Sequence, residues 1–194
     1  MQKLVDGLAR VMALIGGAVL TILIILTCLS VLGRGLNTFG HSPFLTELSQ
    51  GLADWLIGTG VGPITGDFEL VEAGIAFAIF AFLPLAQLHG GHATVDVFTS
   101  LMPARLQVWV RAFWEIVLTL VILLIAWRLY AGMMSKVSNG EITFLLQFPI
   151  WWAYAASFVA AVVAAIVALY CAYASIYGLI TGRSIRPADE GALH

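Results

Sequence analysis

The sequence predicts an all-α integral membrane protein: four membrane-crossing helices, both termini on the cytoplasmic side, and an amphipathic interfacial helix between the first and second spans. Three observations predict it. The 194 residues are 61% hydrophobic and 10% charged, with a mean hydropathy of +0.99, too little polar residue to cover a soluble globule. The apolar residues gather in four runs near or above the roughly 20 residues that cross a hydrocarbon core about 30 Å thick. The runs lack the alternation and roughly ten-residue rhythm of barrel strands, so helices that satisfy their own backbone groups are the spanning form. The chain reads as a single membrane domain.

The first span is Val11 to Gly33. It is too long for a signal peptide, has no small-x-small cleavage site, and leads directly into Arg34 and a loop. Ala9, Ala13 and Gly17 form a small-x-x-x-small ladder suited to close helix contact. A connection of more than 30 residues follows. Within it, Pro43 opens a segment to about Gly58 whose Phe44, Leu45, Leu48, Leu52, Trp55 and Leu56 fall at helical spacing on one face, with Glu47, Gln50 and Asp54 elsewhere. That pattern describes an amphipathic helix on the outer membrane surface or against a partner, or one capping the chain's own bundle. Gly58, Gly60, Gly62 and Pro63 end it.

The second span, Val71 to Leu88, carries Glu72 near its outer end and Pro84 near its inner end. Glu72 reads either as a carboxylate reaching the interface or as a proton or ion site, and Pro84 as a kink. A polar hinge occupies residues 89–105. Gly90 and Gly91 stop the incoming helix, because residues without a Cβ take the left-handed conformation that ends one. Asp96 caps a short turn through Val97 to Leu101, Pro103 suits the first turn of the next helix, and His89 and His92 read as solvated or headgroup-facing.

The third span, Phe113 to Met133, is preceded by Arg111, four residues before Glu115 and suited to a local ion pair, and Arg128 snorkels near its far end. The fourth, Pro149 to Ile180, would measure roughly 48 Å as one helix, so it tilts or projects beyond the hydrocarbon. Trp151, Trp152 and Tyr154 mark its outer interface and Tyr170, Tyr173 and Tyr177 its inner one. Ala156, Ala160, Ala164, Ala168 and Ala172 make a smooth packing stripe. Cys28 and Cys171 fall in opposite leaflets, beyond the roughly 7 Å Cα limit for a disulfide, and read as free thiols.

Basic residues set the orientation. Of the nine, Lys3, Arg10, Arg105, Arg111, Arg183 and Arg186 share one side, which is therefore cytoplasmic. Most acids, Glu47, Asp54, Asp67, Glu69 and Glu141, fall on the other. A net charge of -2 with dispersed basic residues points to no nucleic-acid partner.

Gly90-Gly91-His92-Ala93-Thr94-Val95-Asp96, followed by Leu101-Met102-Pro103-Ala104-Arg105-Leu106, resembles the Gly-Gly-His-x-x-Val-Asp and Leu-Pro-x-Arg-Leu pattern of the small permease subunit of TRAP (tripartite ATP-independent periplasmic) transporters. A second block, Thr143 to Tyr154, is similar to the stretch that opens the fourth helix in that family, and Arg34 and Glu69 match family positions. Their order along a four-span chain of this size extends the resemblance over nearly the whole chain. Two features depart from the pattern: the segment from about Gly40 to Gly66 is longer than usual, and the proline often found early in the fourth helix is replaced near Phe158, which implies a straighter helix.

The resemblance implies an accessory subunit in the bacterial inner membrane. In that family a soluble periplasmic protein captures an organic acid, and a large multi-span subunit moves it by a sodium-coupled elevator motion. The small subunit braces the larger one. Sodium and substrate sites would then lie on other chains, leaving this one with no catalytic, cofactor or metal residue and with membrane lipids as its surroundings. Arg34, Glu69, Gly90, Gly91, His92, Asp96, Pro103, Pro149, Trp151, Trp152, Ala160 and Ala164 are its candidate structural or partner-contact residues.

The residues themselves agree, since the sequence shows no broken helix pair, no repeated half and no ionisable residue in the middle of a span. Two rivals stand beside this reading. A four-helix cytochrome would need histidines within helices, whereas His41, His89, His92 and His194 fall in loops or at the terminus. A self-contained proton-coupled exporter would rest on Glu72 alone. A disulfide-exchange enzyme would need a Cys-x-x-Cys, which the sequence does not contain.

Overall fold

The computed structural model describes residues 2–90 and 103–181. Gly91, His92 and Asp96, the turn expected at Val97 to Leu101, and Arg183, Arg186 and His194 lie outside them. The four long apolar helices are α1 (Gln2–Gly40), α4 (Asp67–Leu88), α5 (Ala104–Asn139) and α6 (Trp151–Thr181), with two short helices, α2 (Pro43–Leu48) and α3 (Gln50–Gly58), between α1 and α4. All four long helices have the length and composition to cross a membrane.

The helices outrun the predicted spans, because hydropathy marks only the part matched to hydrocarbon while the backbone continues as helix past it. At 39 residues, α1 is about 58 Å long and takes in Arg34, which the sequence placed after the span. The 36-residue α5 starts nine residues before Phe113. No break occurs in α6 near Phe158.

The amphipathic segment is two helices rather than one. Ser49 takes an extended backbone (φ -162°, ψ 101°) that ends α2, and its hydroxyl accepts the Leu52 amide at 3.4 Å to start α3. A serine hydroxyl competes well for such orphan amides. The anticipated single apolar face is divided. Leu45 is buried, whereas Leu48, Leu52 and Trp55 point outward.

Small residues decide how the long helices pack. The middle pair is α4 and α6, with α1 lying chiefly on α4 and α5 on α6. The buried line of α1 runs Ala9, Met12, Gly16, Leu23, Ser30, Gly33, close to a seven-residue repeat, so Gly16 takes the buried place the ladder assigned to Gly17. A Cβ on Gly16 would stand 2.8 Å from the Ala81 Cβ, and one on Gly74 2.6 Å from Leu23 Cδ1. Bare backbone thus lets α1 and α4 approach where any side chain would hold them apart.

The alanine stripe of α6 faces inward. Ala160 packs with Met12 of α1 and Ala81 of α4, and Ala164 and Ala168 pack with Ile122 of α5 beside Leu83 of α4. Ala160 and Ala164 are 0% and 1% exposed, so their contacts lie within this chain; Ala156, at the head of the stripe, is exposed. Below them, Ala9, Leu88, Val167 and Cys171 join α1, α4 and α6. The outer faces of α1 and α5, with Ile22, Leu29 and Leu32 on one and Trp114, Leu124 and Trp127 on the other, remain exposed.

Candidate functional site

The polar side chains gather at the two ends of the helices. Where α1 ends and α4 begins, Ser30, Gly33 and Asn37 fall on one face of α1 at helical spacing, and the loop leading into α4 lies along them. Ser30 Oγ, fully buried, donates to Asp67 Oδ2 and accepts the Ile64 amide at 3.2 Å. Asn37 Nδ2 donates to the Val61 carbonyl at 3.0 Å. A Cβ on Gly33 would lie 2.2 Å from the Gly62 carbonyl oxygen, so glycine is what lets this loop touch the helix. Arg34 Nη2 stands 3.9 Å from Asp67 Oδ2 and is largely exposed, a weak addition to that knot.

Two residues along, Glu69 ties α4 to the connection between α5 and α6. Its Oε1 accepts the Leu145 amide at 2.7 Å and its Oε2 the Leu146 amide at 2.9 Å. The connection is shaped to present both. Ile142 bridges Pro149, Thr143 N donates to Phe148 O at 3.0 Å, Ile150 N donates to Glu141 O at 3.0 Å, and Gln147 takes a left-handed φ of 55° at the bend. Gly66, also left-handed at φ 78°, leaves the space that the Leu146 side chain fills. Lys136 Nζ and Asn139 Nδ2 (3.1 Å) donate to Glu141 at the base of the turn. Together they hold the Glu141 carboxyl below the usual carboxylate range.

Beside this clasp a cleft of about 310 Å³ opens between α4, α6 and the turn. Its polar lining is Glu69 and Glu72 of α4, Thr143 of the turn, and Tyr154 and Ser157 of α6.

The other end is tied differently. Gln87, 2% exposed, donates from Nε2 to Glu115 Oε1 at 2.7 Å, joining the last turn of α4 to α5. Thr119 Oγ1 donates to the Ala168 carbonyl at 3.2 Å. Cys171 Sγ lies 3.9 Å from the Gln87 carbonyl. Both cysteines are free, Cys28 exposed and Cys171 buried. Glu115, read in the sequence as a partner for Arg111, is thus also the acceptor for a buried amide.

Of the residues the sequence singled out, the structure joins Glu69 to the Thr143–Tyr154 block and Arg34 to Asp67. Gly90, at φ 61°, follows the end of α4 as expected. Pro103 immediately precedes α5, and Pro149 closes the bridge with Ile142. The rings of Trp151 and Trp152 meet edge to face at 6.2 Å on an exposed surface. Sequence reasoning missed Ser30, Asn37, Asp67, Gln87, Thr119 and Ser157. A signal existed for the first two, since Ser30, Arg34 and Asn37 form a polar face at the end of an apolar span.

The arrangement defines a multi-pass helical membrane protein whose described polar contacts largely serve to hold its own elements in place. Residues 23–178 match the family model described as "Tripartite ATP-independent periplasmic transporters, DctQ component", and the chain belongs to that family. It is the small permease component of a TRAP transporter, resident in the bacterial inner membrane. No curated protein and no solved structure matches it.

Proposed function

We propose that this chain is the static brace of a sodium-coupled, binding-protein-dependent transporter for organic acids, and that it acts by position. Its partners are the large multi-span permease subunit, which carries the substrate and the sodium ions, a periplasmic substrate-binding protein, and the surrounding lipid. Both termini face the cytoplasm, as the basic-residue asymmetry argues, so the Asp67 knot, the Glu69 clasp and the paired short helices face the periplasm. There α2 and α3 add to the surface on which the binding protein docks.

The observation that carries this reading is the clasp of Glu69 on the Leu145 and Leu146 amides. A carboxylate whose two oxygens both accept backbone amides is tied to structure, holding α4 against the turn before α6. With α1 and α4 closed on bare glycine and both helix ends tied by hydrogen bonds, little freedom is left for one helix to slide past another. A moving transport domain needs such a fixed body to move against. The broad apolar faces of α1 and α5 supply surface for the larger subunit and for lipid.

Affinity purification of the tagged chain from membranes tests the assignment. The large subunit is expected to co-purify in fixed ratio, and cells lacking this chain are expected to lose sodium-dependent uptake of the organic acid. Retained uptake without it would refute the role.

A further inference from the structure

We propose that the cleft between α4, α6 and the 141–150 turn seats a basic side chain, lysine or arginine, of the large permease subunit; this rests on the function proposed above and gives its contact a place and a chemistry. Two polar groups in the cleft have no partner among the described residues. Ser157 is 2% exposed and its hydroxyl makes no hydrogen bond. Glu72 lies three residues beyond Glu69, about 4.5 Å further along the α4 axis, and no hydrogen bond or ion pair of the described residues reaches it. The neighbouring carboxylates differ in this respect. Glu69 accepts two amides, Asp67 pairs with Ser30 and Arg34, and Glu141 pairs with Lys136 and Asn139.

The hydroxyl of Ser157 is buried and bare, which is costly, whereas Glu72 is exposed near the outer end of α4, and a carboxylate on a membrane-crossing helix ordinarily pairs with a neighbouring helix. Water within the cleft could wet them, but most of its lining is apolar: Ala73, Ala76 and Phe80 on α4, Leu129 on α5, Ile150 and Ala153 at the start of α6. Walls of that kind suit the methylene stem of a long side chain whose charged head reaches polar groups. At this end Arg34 and Lys136 stand on Asp67 and Glu141, and Arg128, beside the lining residue Leu129, forms no ion pair with Glu72 among the described residues, which leaves Glu72 open to a charge from another chain.

The alternative occupant is a phospholipid. An acyl chain satisfies neither Glu72 nor Ser157, and a phosphate would enter beside Asp67, Glu69 and Glu72, where like charge opposes it. A lysine or arginine carries the donors that Glu72 accepts, one donor for Ser157 Oγ, and the stem that fills the space.

The test uses the assembled transporter in native membranes, with the wild-type chain as reference. Glu72→Gln, which keeps the shape and removes the charge, is expected to lower the co-purified large subunit severalfold, and Glu72→Lys more strongly. Second-site recovery of Glu72→Lys is expected to map to a lysine or arginine of the large subunit changed to an acid. A photo-crosslinking residue at Ala73 is expected to give an adduct with the mass of the large subunit. Full co-purification with Glu72→Gln, or an adduct with phospholipid alone, would overturn the cleft assignment while leaving the brace in place. If the wild-type chain brings down no large subunit, the function proposed above fails with it.

Discussion

Glu69 on α4 accepts the backbone amide of Leu145, 76 positions later in the chain, at 2.7 Å, and thereby fixes the entry to α6 against the entry to α4. Removing the carboxylate leaves two amides facing a shorter side chain. Glu69→Ala is expected to speed hydrogen exchange at Leu145 and Leu146 and to reduce the amount of assembled complex, while the complex that does form keeps its uptake rate. Unchanged exchange at both amides would show that the clasp does not order the turn.

The α1 contact with its following loop depends on one missing atom. Gly33→Ala puts a Cβ into the Gly62 carbonyl, and overpacking of this kind costs about 1–3 kcal/mol. Gly7→Ala meets nothing within 4 Å, so it is expected to be neutral or to stabilise α1 by up to about 1 kcal/mol through helix propensity. Thermal unfolding of the two variants in one detergent checks the contrast. Equal melting temperatures would remove the argument for a glycine seam.

The alanine stripe makes a prediction about the isolated chain. Ala164→Leu forces three further carbons against Ile122, Leu83 and Leu123, and should destabilise the subunit by about 1–3 kcal/mol before any partner is considered. Ala156→Leu, on the exposed part of the same stripe, should leave the isolated chain unaltered. Circular dichroism melts of both proteins decide it, and a normal melt for Ala164→Leu would place that residue on an outer face.

Much of this was legible beforehand, for physical reasons that also explain the rest. Composition revealed the four helices, because lipid demands apolar side chains along most of a span. It could not place their ends, since Arg34 and Lys136 sit on helix that continues into polar surroundings. The stripe from Ala156 to Ala172 announced close packing without its direction, because an alanine face fits a sister helix and a foreign one equally well. Ser49 carried no signal of its own within the amphipathic pattern, and its extended backbone divides α2 from α3. The Glu69 clasp was hidden most deeply: its acceptors are identifiable by residue type, whereas its donors are main-chain amides that every residue except proline carries.

Acidification should loosen the turn before α6. Lys136 and Asn139 lower the Glu141 pKa below its ordinary 4.5, so this contribution is complete above the unfolded carboxyl's pKa and is lost as pH falls through the lower folded value. Hydrogen exchange at Ile150, whose amide donates to the Glu141 carbonyl, is expected to show less protection below pH 4.5 once corrected for the intrinsic rate. Glu141→Gln is expected to remove that dependence. A Glu141→Gln protein with the same pH profile as the wild type would assign the effect to another group.

Topology follows from the basic residues. In a Cys28→Ser background, a cysteine at Asn139 is expected to react with an impermeant thiol reagent added outside spheroplasts, and one at Lys3 only after lysis. The reverse pattern would invert the chain and put the Glu69 clasp in the cytoplasm.

The most direct test of the central claim is uptake in proteoliposomes with a sodium gradient. The isolated chain is expected to move no organic acid, and the complex with its large partner to do so only when sodium and the matching binding protein are both supplied. Accumulation of substrate by this chain alone would contradict the account and place transport chemistry on its own helices.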